Sequence, residues 1–226
     1  WNYFLTLQDE WRVNEKLSMT AGVRYDYYDD AGDALSPRLA AVYRLNRDTT
    51  LKAQYARAFR PPTLLEVGGQ IDDIKPVHSD SIEAAAVFGR TGNRAALTLF
   101  HHEVEDLIVF TSVDGEFGFD NVAEARTTGA ELEWEKRFSR FFSVDGNLSY
   151  SRSSDRSTGD DIVDSARWLG NLGIRMTPLH DLDLHLQVNG HGDRDRAAAD
   201  PRPHMPSATT ADFTVSWQTN RELLLR

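Results

Sequence analysis

Strict alternation of apolar and polar residues is the feature that most constrains how this chain can fold. Between Asp181 and Gly190, leucine or valine occupies every second position, and aspartate, histidine, glutamine or asparagine stands in between. A period of two places the two kinds of side chain on opposite faces of a β-strand. The same pattern recurs around Trp134, Leu148 and Phe213. The sequence therefore predicts an all-β fold whose strands each have one apolar and one polar face.

The predicted strands are long. Each has about ten to fourteen residues, whereas strands of soluble sheets usually have about five or six, and a strand of about ten residues crosses a bilayer when tilted. Eleven strands are predicted, at residues 2–13, 17–28, 36–46, 50–59, 80–90, 94–105, 124–138, 142–152, 164–177, 181–192 and 208–219.

The connections between these strands alternate between short and long ones. The long ones are residues 29–35, 60–79, 106–123, 153–163 and 193–207. In an up-and-down meander, alternate connections lie at the same end of the sheet, so the short turns fall on one rim and the long loops on the other. Transmembrane barrels of the bacterial outer membrane have this asymmetry. The pattern predicts an antiparallel up-and-down transmembrane β-barrel.

The averages over the sequence look hydrophilic. Mean hydropathy is −0.49, and the lack of an apolar run of about 20 residues excludes a membrane-spanning helix, though not a barrel. The formal net charge of −10 argues against a nucleic-acid partner. A soluble β-sandwich or propeller would also alternate, but the length of the strands and the dense charge of their polar faces favour the barrel.

Several short motifs follow one another along the chain. They are Ser36–Leu39, Tyr55–Leu64, Ile74–Pro76, Asp106–Ile108, and Asn121 followed by Gly129–Glu133. Their order and spacing resemble the barrel of TonB-dependent outer-membrane receptors, over nearly the whole chain. The resemblance implies one partial transmembrane β-barrel domain at residues 1–226, with about 11 of roughly 22 strands, in the bacterial outer membrane.

Some features depart from the family pattern. Asp72 and Asp73 precede the Lys75-Pro76 pair where the family often has Asn-Pro, and Val77 follows it where the family has an acidic residue. No plug domain or TonB-contacting segment is recognised, and the chain ends at Leu223–Arg226 without a terminal aromatic residue. We therefore expect the C-terminal half of a barrel, truncated at both ends.

The resemblance also implies a function. Such a receptor takes up a scarce nutrient, most often a ferric siderophore and in some cases cobalamin, by coupling to the TonB complex through its plug. A smaller passive pore or structural barrel is the alternative. No catalytic constellation, resident cofactor or metal site is predicted, because a strand entering a loop explains the cluster of His101, His102 and Glu103.

Ligand recognition is expected on the long loops, since binding residues concentrate on loops held by a rigid scaffold. Arginine and histidine beside aromatic residues suit an anionic ligand that carries aryl groups. Contact with lipopolysaccharide phosphates is an equally weighted explanation for the loop at residues 193–207. The candidate substrate-binding residues are Arg60, Phe117, Arg194, Arg196, Arg202 and His204.

Charged residues on the strands generate one further prediction. Six arginines, Arg12, Arg24, Arg38, Arg44, Arg167 and Arg175, share the polar faces with Glu131, Glu133, Glu135 and Asp145. Because a guanidinium group holds carboxylates bidentately, we expect these groups to pair around the wall or with a plug. Asp9 and Arg57 fall on the apolar face, where a position near the rim would lower the cost of exposing a charge to lipid.

Overall fold

A single antiparallel sheet makes up the fold. The computed structural model describes residues 1–29, 32–71, 73–113, 115–196, 200–218 and 224–225. Within these ranges each strand pairs with its neighbours in chain order. The elements are β1 (Asn2–Arg12), β2 (Leu17–Tyr28), β3 (Gly32–Arg44), β4 (Thr49–Arg60), α1 (Leu64–Gly68), β5 (Val77–Arg90), β6 (Asn93–Val113), β7 (Glu116–Ser139), β8 (Phe142–Asp155), β9 (Trp168–Leu179), β10 (Leu182–His191), β11 (Ala208–Gln218) and β12 (Leu224–Leu225).

The predicted fold class is confirmed, since each predicted strand overlaps one of the eleven long strands. Asp72 and the C-terminal residues 219–223 and 226, which entered the sequence predictions, lie outside the described residues. Across the described ranges, no helix has both the length and the apolar character to span a membrane.

Directly opposed residues form a continuous apolar face across the sheet. Starting at Trp11 in β1, the register passes through Met19, Ala41, Ala53, Ala84, Leu99, Ala130 and Tyr150 to Trp168 in β9. Trp11 lies at the short-turn end of its strand and Trp168 at the long-loop end of its own. The line therefore climbs from one rim to the other over eight strand spacings.

This climb gives the height of the apolar band. Strands lie about 4.8 Å apart, so eight spacings measure about 38 Å along the hydrogen-bonding direction. Strands of transmembrane barrels tilt by about 40°, which converts this distance into a rise of about 25 Å, the height of their apolar band. The large side chains of this line are exposed, including Trp11, Leu99 and Trp168. The fold thus presents its apolar surface outward instead of burying it in a core.

The opposite face is polar. Gln54 and Glu83 lie opposite each other on β4 and β5, and the Gln54 amide donates to the Glu83 carboxylate at 2.7 Å. On β8 and β9 the Asn171 amide donates to Asn147 Oδ1 at 2.8 Å. The buried apolar side chains of the described chain are Ala34, Ile74, Pro76, Val77 and Ala96. Hydrogen bonds between polar side chains therefore replace a packed apolar layer on this face.

The structure corrects the predicted loop at residues 106–123. Strand β6 continues to Val113 and β7 begins at Glu116, and the two pair as far as the turn at Gly115, where φ is 89°. The alternation is broken in the sequence because the register shifts between Val104 and Leu107. A β-bulge of this kind moves the following side chains to the other face.

The predicted loop at residues 29–35 is also shorter than expected. Strand β3 begins at Gly32, whose φ of 78° suits glycine, and Gly32 lies opposite Tyr28. Two predicted strand starts are displaced, because β5 begins earlier than residue 80, at Val77, and β9 begins later than residue 164, at Trp168.

One glycine on the apolar face allows a tryptophan to lie flat against the sheet. A Cβ atom at Gly146 would stand 2.6 Å from Trp134 Cζ2 and 2.6 Å from the carbonyl oxygen of Asn171. At Gly190, on the same face, the nearest atom would be Thr209 Oγ1 at 3.4 Å. Gly146 is therefore required by the packing, whereas Gly190 is not.

We expect Gly146→Ala to destabilise the barrel by about 1–3 kcal/mol, the usual cost of overpacking. Gly190→Ala is the matched control and should change stability little. Urea unfolding of the complete protein in micelles measures both effects. Equal stabilities of the two variants would contradict the packing argument.

Candidate functional site

The rim with the long connections projects beyond the apolar band, and we call it the loop rim. It comprises the segment 61–76, the outer half of the β6–β7 hairpin, and the segments 156–167 and 192–207. Strands β6 and β7 have 21 and 24 residues, about twice the length that crosses a membrane. Their outer half therefore stands outside the band.

Arg60, a predicted ligand residue and the last residue of β4, is engaged by the adjoining segment 61–76. Its Nη1 and Nη2 atoms donate to the two carboxylate oxygens of Glu66 at 2.9 and 3.1 Å. Glu66 also accepts from the backbone N–H of Thr63 at 2.6 Å, and Thr63 caps α1 in return. These donors stabilise the carboxylate, Arg60 most of all, and lower the pKa of Glu66 to about 2. Arg60 thus fixes the start of segment 61–76.

The hairpin carries a group of exposed aromatic residues. Phe117, the predicted residue, is 76% exposed, and Phe110 is 65% exposed. Phe110 meets Phe119 edge to face, with ring centroids 5.3 Å apart. The sequence prediction placed these residues on a loop at residues 106–123 and chose Phe117 as the candidate ligand residue. The ladder pair of Phe110 and Phe119 makes the aromatic surface larger and more rigid than expected.

The predicted arginines of segment 192–207 converge on one carboxylate. Arg202 binds Asp200 bidentately, with Nε–Oδ1 at 2.8 Å and Nη2–Oδ2 at 2.6 Å. Arg196 reaches Asp200 at 3.3 Å and donates to the carbonyl of Pro203 at 2.9 Å. The side chain and the backbone N–H of Arg202 lower the pKa of Asp200 to about 2. Two guanidinium groups share the Asp200 carboxylate, although segment 192–207 as a whole has three arginines and three aspartates and is formally neutral.

The predicted site residues fall into three groups on the loop rim. Arg194, Arg196, Arg202 and His204 lie in one segment, where Arg194 forms a backbone bridge with Met205. Arg60 lies at the start of segment 61–76, and Phe117 lies at the tip of the hairpin. Among the residues with described side chains, no hydrogen bond or ion pair links one group to another. A ligand that contacts all three groups would have to bridge them.

Ion pairs on the outward face near the loop rim were not predicted. Arg57, directly opposite Asp80, binds it with Nη2–Oδ2 at 2.5 Å, and the Tyr55 hydroxyl donates to the same carboxylate at 2.6 Å. Glu103 lies opposite Arg126 and pairs with it at 3.0 Å. The outward position of Arg57 is thus offset by a carboxylate. In the sequence, these ion pairs were indicated only by charged residues at apolar-face positions near the loop end of each strand.

Among the described residues, the predicted pairing of arginines with carboxylates around the inner wall is wrong, whereas the alternative, pairing with a plug, stays a prediction. Within the described chain, Glu131, Glu133, Glu135 and Asp145 form no ion pair with an arginine. Arg24 instead binds Asp26, two residues away on the same strand, at 2.6 and 2.7 Å. Arg167 binds Asp161 in the segment that precedes β9. The register places Glu131 opposite Ser149 and Glu133 opposite Asn147. Glu135 lies opposite Arg94 but forms no ion pair with it, so neither a shared face nor direct opposition is enough for pairing.

The outward apolar band, the short and long rims and the polar inner face define a transmembrane barrel of the outer-membrane class. All 226 residues match the family model described as TonB dependent receptor-like, beta-barrel. The chain therefore belongs to the TonB-dependent receptor family and forms part of its β-barrel. Membership confirms the predicted location in the bacterial outer membrane.

Known proteins with similar sequences and folds include iron receptors. The iron-regulated outer membrane virulence protein of Vibrio cholerae is 28% identical, over 93% of this chain and 37% of that protein. The ferrienterobactin receptor of Escherichia coli is 24% identical, over 84% and 30%. A crystal structure of the ferric enterobactin receptor PfeA from Pseudomonas aeruginosa has a TM-score of 0.86 at 22% identity, over 99% and 38%. The chain spans about a third of the length of these proteins.

We expect Arg60→Ala to raise the pKa of Glu66 from about 2 towards the ordinary value of 4.5. A lowered pKa in the folded state stabilises the fold above the unfolded value and loses that stabilisation as pH falls from about 4.5 towards 2. The variant should lose this contribution even at neutral pH. A ¹³C titration of labelled glutamate carboxyls, with Glu66→Gln to assign the signal, measures the shift. Wild-type Glu66 titrating near 4.5 would contradict the geometry.

Proposed function

We propose that this chain forms part of the barrel of a receptor that imports a ferric siderophore across the outer membrane. The observation that carries the proposal is the loop rim, where the guanidinium groups of Arg196 and Arg202 on segment 192–207 accompany the exposed Phe110 and Phe117. Ferric siderophores are commonly anionic and can carry aryl groups. Charge and cation–π or stacking contacts act together on such ligands. Two of the similar proteins are named as receptors for ferric enterobactin.

In the proposed mechanism the barrel acts as wall and selector. The ligand binds at the loop rim, and Arg196, Arg202, His204 and Phe117 contact it. Arg60 acts by fixing the adjoining segment 61–76. Uptake is driven by the TonB complex through a plug region outside this chain. The apolar band contacts membrane lipid, and segment 192–207 also meets lipopolysaccharide phosphates. The barrel performs no covalent chemistry, and the ferric chelate is its cargo and not a resident cofactor.

Growth under iron limitation tests the identity of the cargo. The complete receptor is expressed in a strain that lacks its own importers, and ferric siderophores and cobalamin are supplied one at a time. We expect at least one ferric siderophore to restore growth only when TonB is present. Rescue by cobalamin alone would replace the proposed substrate, and rescue without TonB would instead indicate a passive pore.

The arginine pair of segment 192–207 can be tested directly. A charge-assisted hydrogen bond is worth about 1.5–3 kcal/mol, so the double substitution of Arg196→Ala and Arg202→Ala should weaken siderophore binding at least about tenfold. Arg140→Ala is the matched control, because Arg140 lies at a short turn on the opposite rim. Equilibrium binding to the purified receptor measures both. Unchanged affinity in the double variant would remove these arginines from the site.

A further inference from the structure

One asparagine side chain joins three segments of the loop rim. Asn121, on β7, accepts a hydrogen bond from the backbone N–H of Lys75 at 2.7 Å. Its Nδ2 atom donates to the carbonyl oxygen of Lys75 at 3.1 Å and to that of Asp106 at 2.6 Å. The amide thus binds both the N–H and the C=O group of Lys75, as a neighbouring strand would. It also binds Asp106, at the point where β6 leaves the part of the sheet that lies in the apolar band.

The chemistry of these partners requires an amide in one orientation. One partner is a donor and two are carbonyl acceptors, and only a carboxamide offers one oxygen and an NH₂ group in the matching places. Rotating the amide by 180° would place its oxygen against the carbonyls of Lys75 and Asp106. Aspartate, which is nearly isosteric and ionised, has no donor for either carbonyl. No other side-chain type of this size satisfies all three backbone groups.

The Asp106 contact lies at an irregular point of the hairpin. Asp106 has a φ of 56°, in the left-handed region that non-glycine residues rarely adopt, and the register of β6 and β7 shifts between Val104 and Leu107. Left-handed backbone at a bulge persists only where the surroundings hold it. The Asn121 amide supplies such a contact at the bulge, where the hairpin leaves the wall.

The Lys75 contact continues a docked segment. The N–H of Ile71 donates to the carbonyl of Phe119 at 3.0 Å, and the N–H of Phe119 donates to the carbonyl of Gly69 at 2.8 Å. A Cβ atom at Gly118 would stand only 2.9 Å from Ile71 Cγ1, so this glycine permits the close approach. Ile74 and Pro76, on either side of Lys75, are buried, and so is Val77. Residues 69–71 and 73–77 therefore run along β7 as an additional backbone layer.

We propose that Asn121 is a positioning residue that locks segment 61–76 and the β6–β7 hairpin into one rigid unit of the ligand-binding rim. Asn121 itself touches no ligand. It holds the capped helix α1 and Arg60 in a fixed place relative to Phe110 and Phe119. The ligand part of this proposal rests on the proposed siderophore function, whereas the mechanical part does not.

Hydrogen exchange of the complete receptor tests the mechanical part. Asn121→Ala removes all three contacts, and we expect the amides of Lys75 and Ile71 to exchange about 10- to 100-fold faster, since each lost hydrogen bond contributes a factor of several. Asn121→Asp should loosen the segment at least as much, because its carboxylate faces two carbonyl oxygens. Ser112→Ala, on the same hairpin, is the matched control and should leave exchange unchanged. Retained heat-modifiable migration on gels ensures that the barrel is folded.

Siderophore binding tests the positioning part. We expect Asn121→Ala to lower the affinity of the complete receptor about tenfold, and Ser112→Ala to leave it unchanged. Normal exchange at Lys75 and Ile71 in Asn121→Ala would overturn the lock. Faster exchange with undiminished affinity would overturn the positioning role. A wild-type receptor that binds no ferric siderophore would instead overturn the proposed function, and the exchange result would still decide whether the lock exists.

Discussion

The hydrogen-bonded ladder is the constraint on which the rest of this structure depends. Backbone N–H and C=O groups have no partner in lipid, so a strand can cross a membrane only when both edges are paired or the sheet closes. Every long strand from β2 to β11 has a neighbour on each side. Once the ladder is fixed, register alone decides which side chains meet. The apolar line from Trp11 to Trp168, the outward ion pairs and the polar inner face all follow from it.

The fold could be predicted from the sequence because alternation reports a property of each residue by itself. A residue is assigned to the apolar or the polar face by whether it stands at an odd or an even position of its strand. This assignment does not require knowledge of the partner strand. The prediction failed at residues 106–123 for the same reason. Beyond Val104 the bulge exchanges the faces on which odd and even positions lie, so the two halves of β6 no longer match one alternating pattern. Only the ladder between Phe110 and Phe119 reveals that the strand continues.

The candidate site was less predictable because its contacts join residues far apart in sequence. The arginines of segment 192–207 were identified by composition, but their shared partner Asp200 was not. Arg57 was recognised as a charge on the wrong face, yet the carboxylate that offsets it lies 23 residues away. The carboxylates of the inner wall show the converse. Glu131 and Glu133 share a face with arginines, but the register sets them opposite uncharged side chains.

The loop rim has to be held together without an apolar core. Segments outside the band bury few apolar side chains, with Ile74, Pro76 and Val77 as the exceptions on segment 61–76 and its junction with β5. Polar side chains hold these segments instead, each by binding several groups at once, and we call such a side chain a clamp. Glu66 binds Arg60 and Thr63, Asp200 binds two arginines, and Asn121 binds three backbone groups. Each such clamp is directional, whereas apolar packing is not. A rim built from clamps therefore keeps exposed arginines and aromatic rings in defined places while leaving their surfaces free for a ligand.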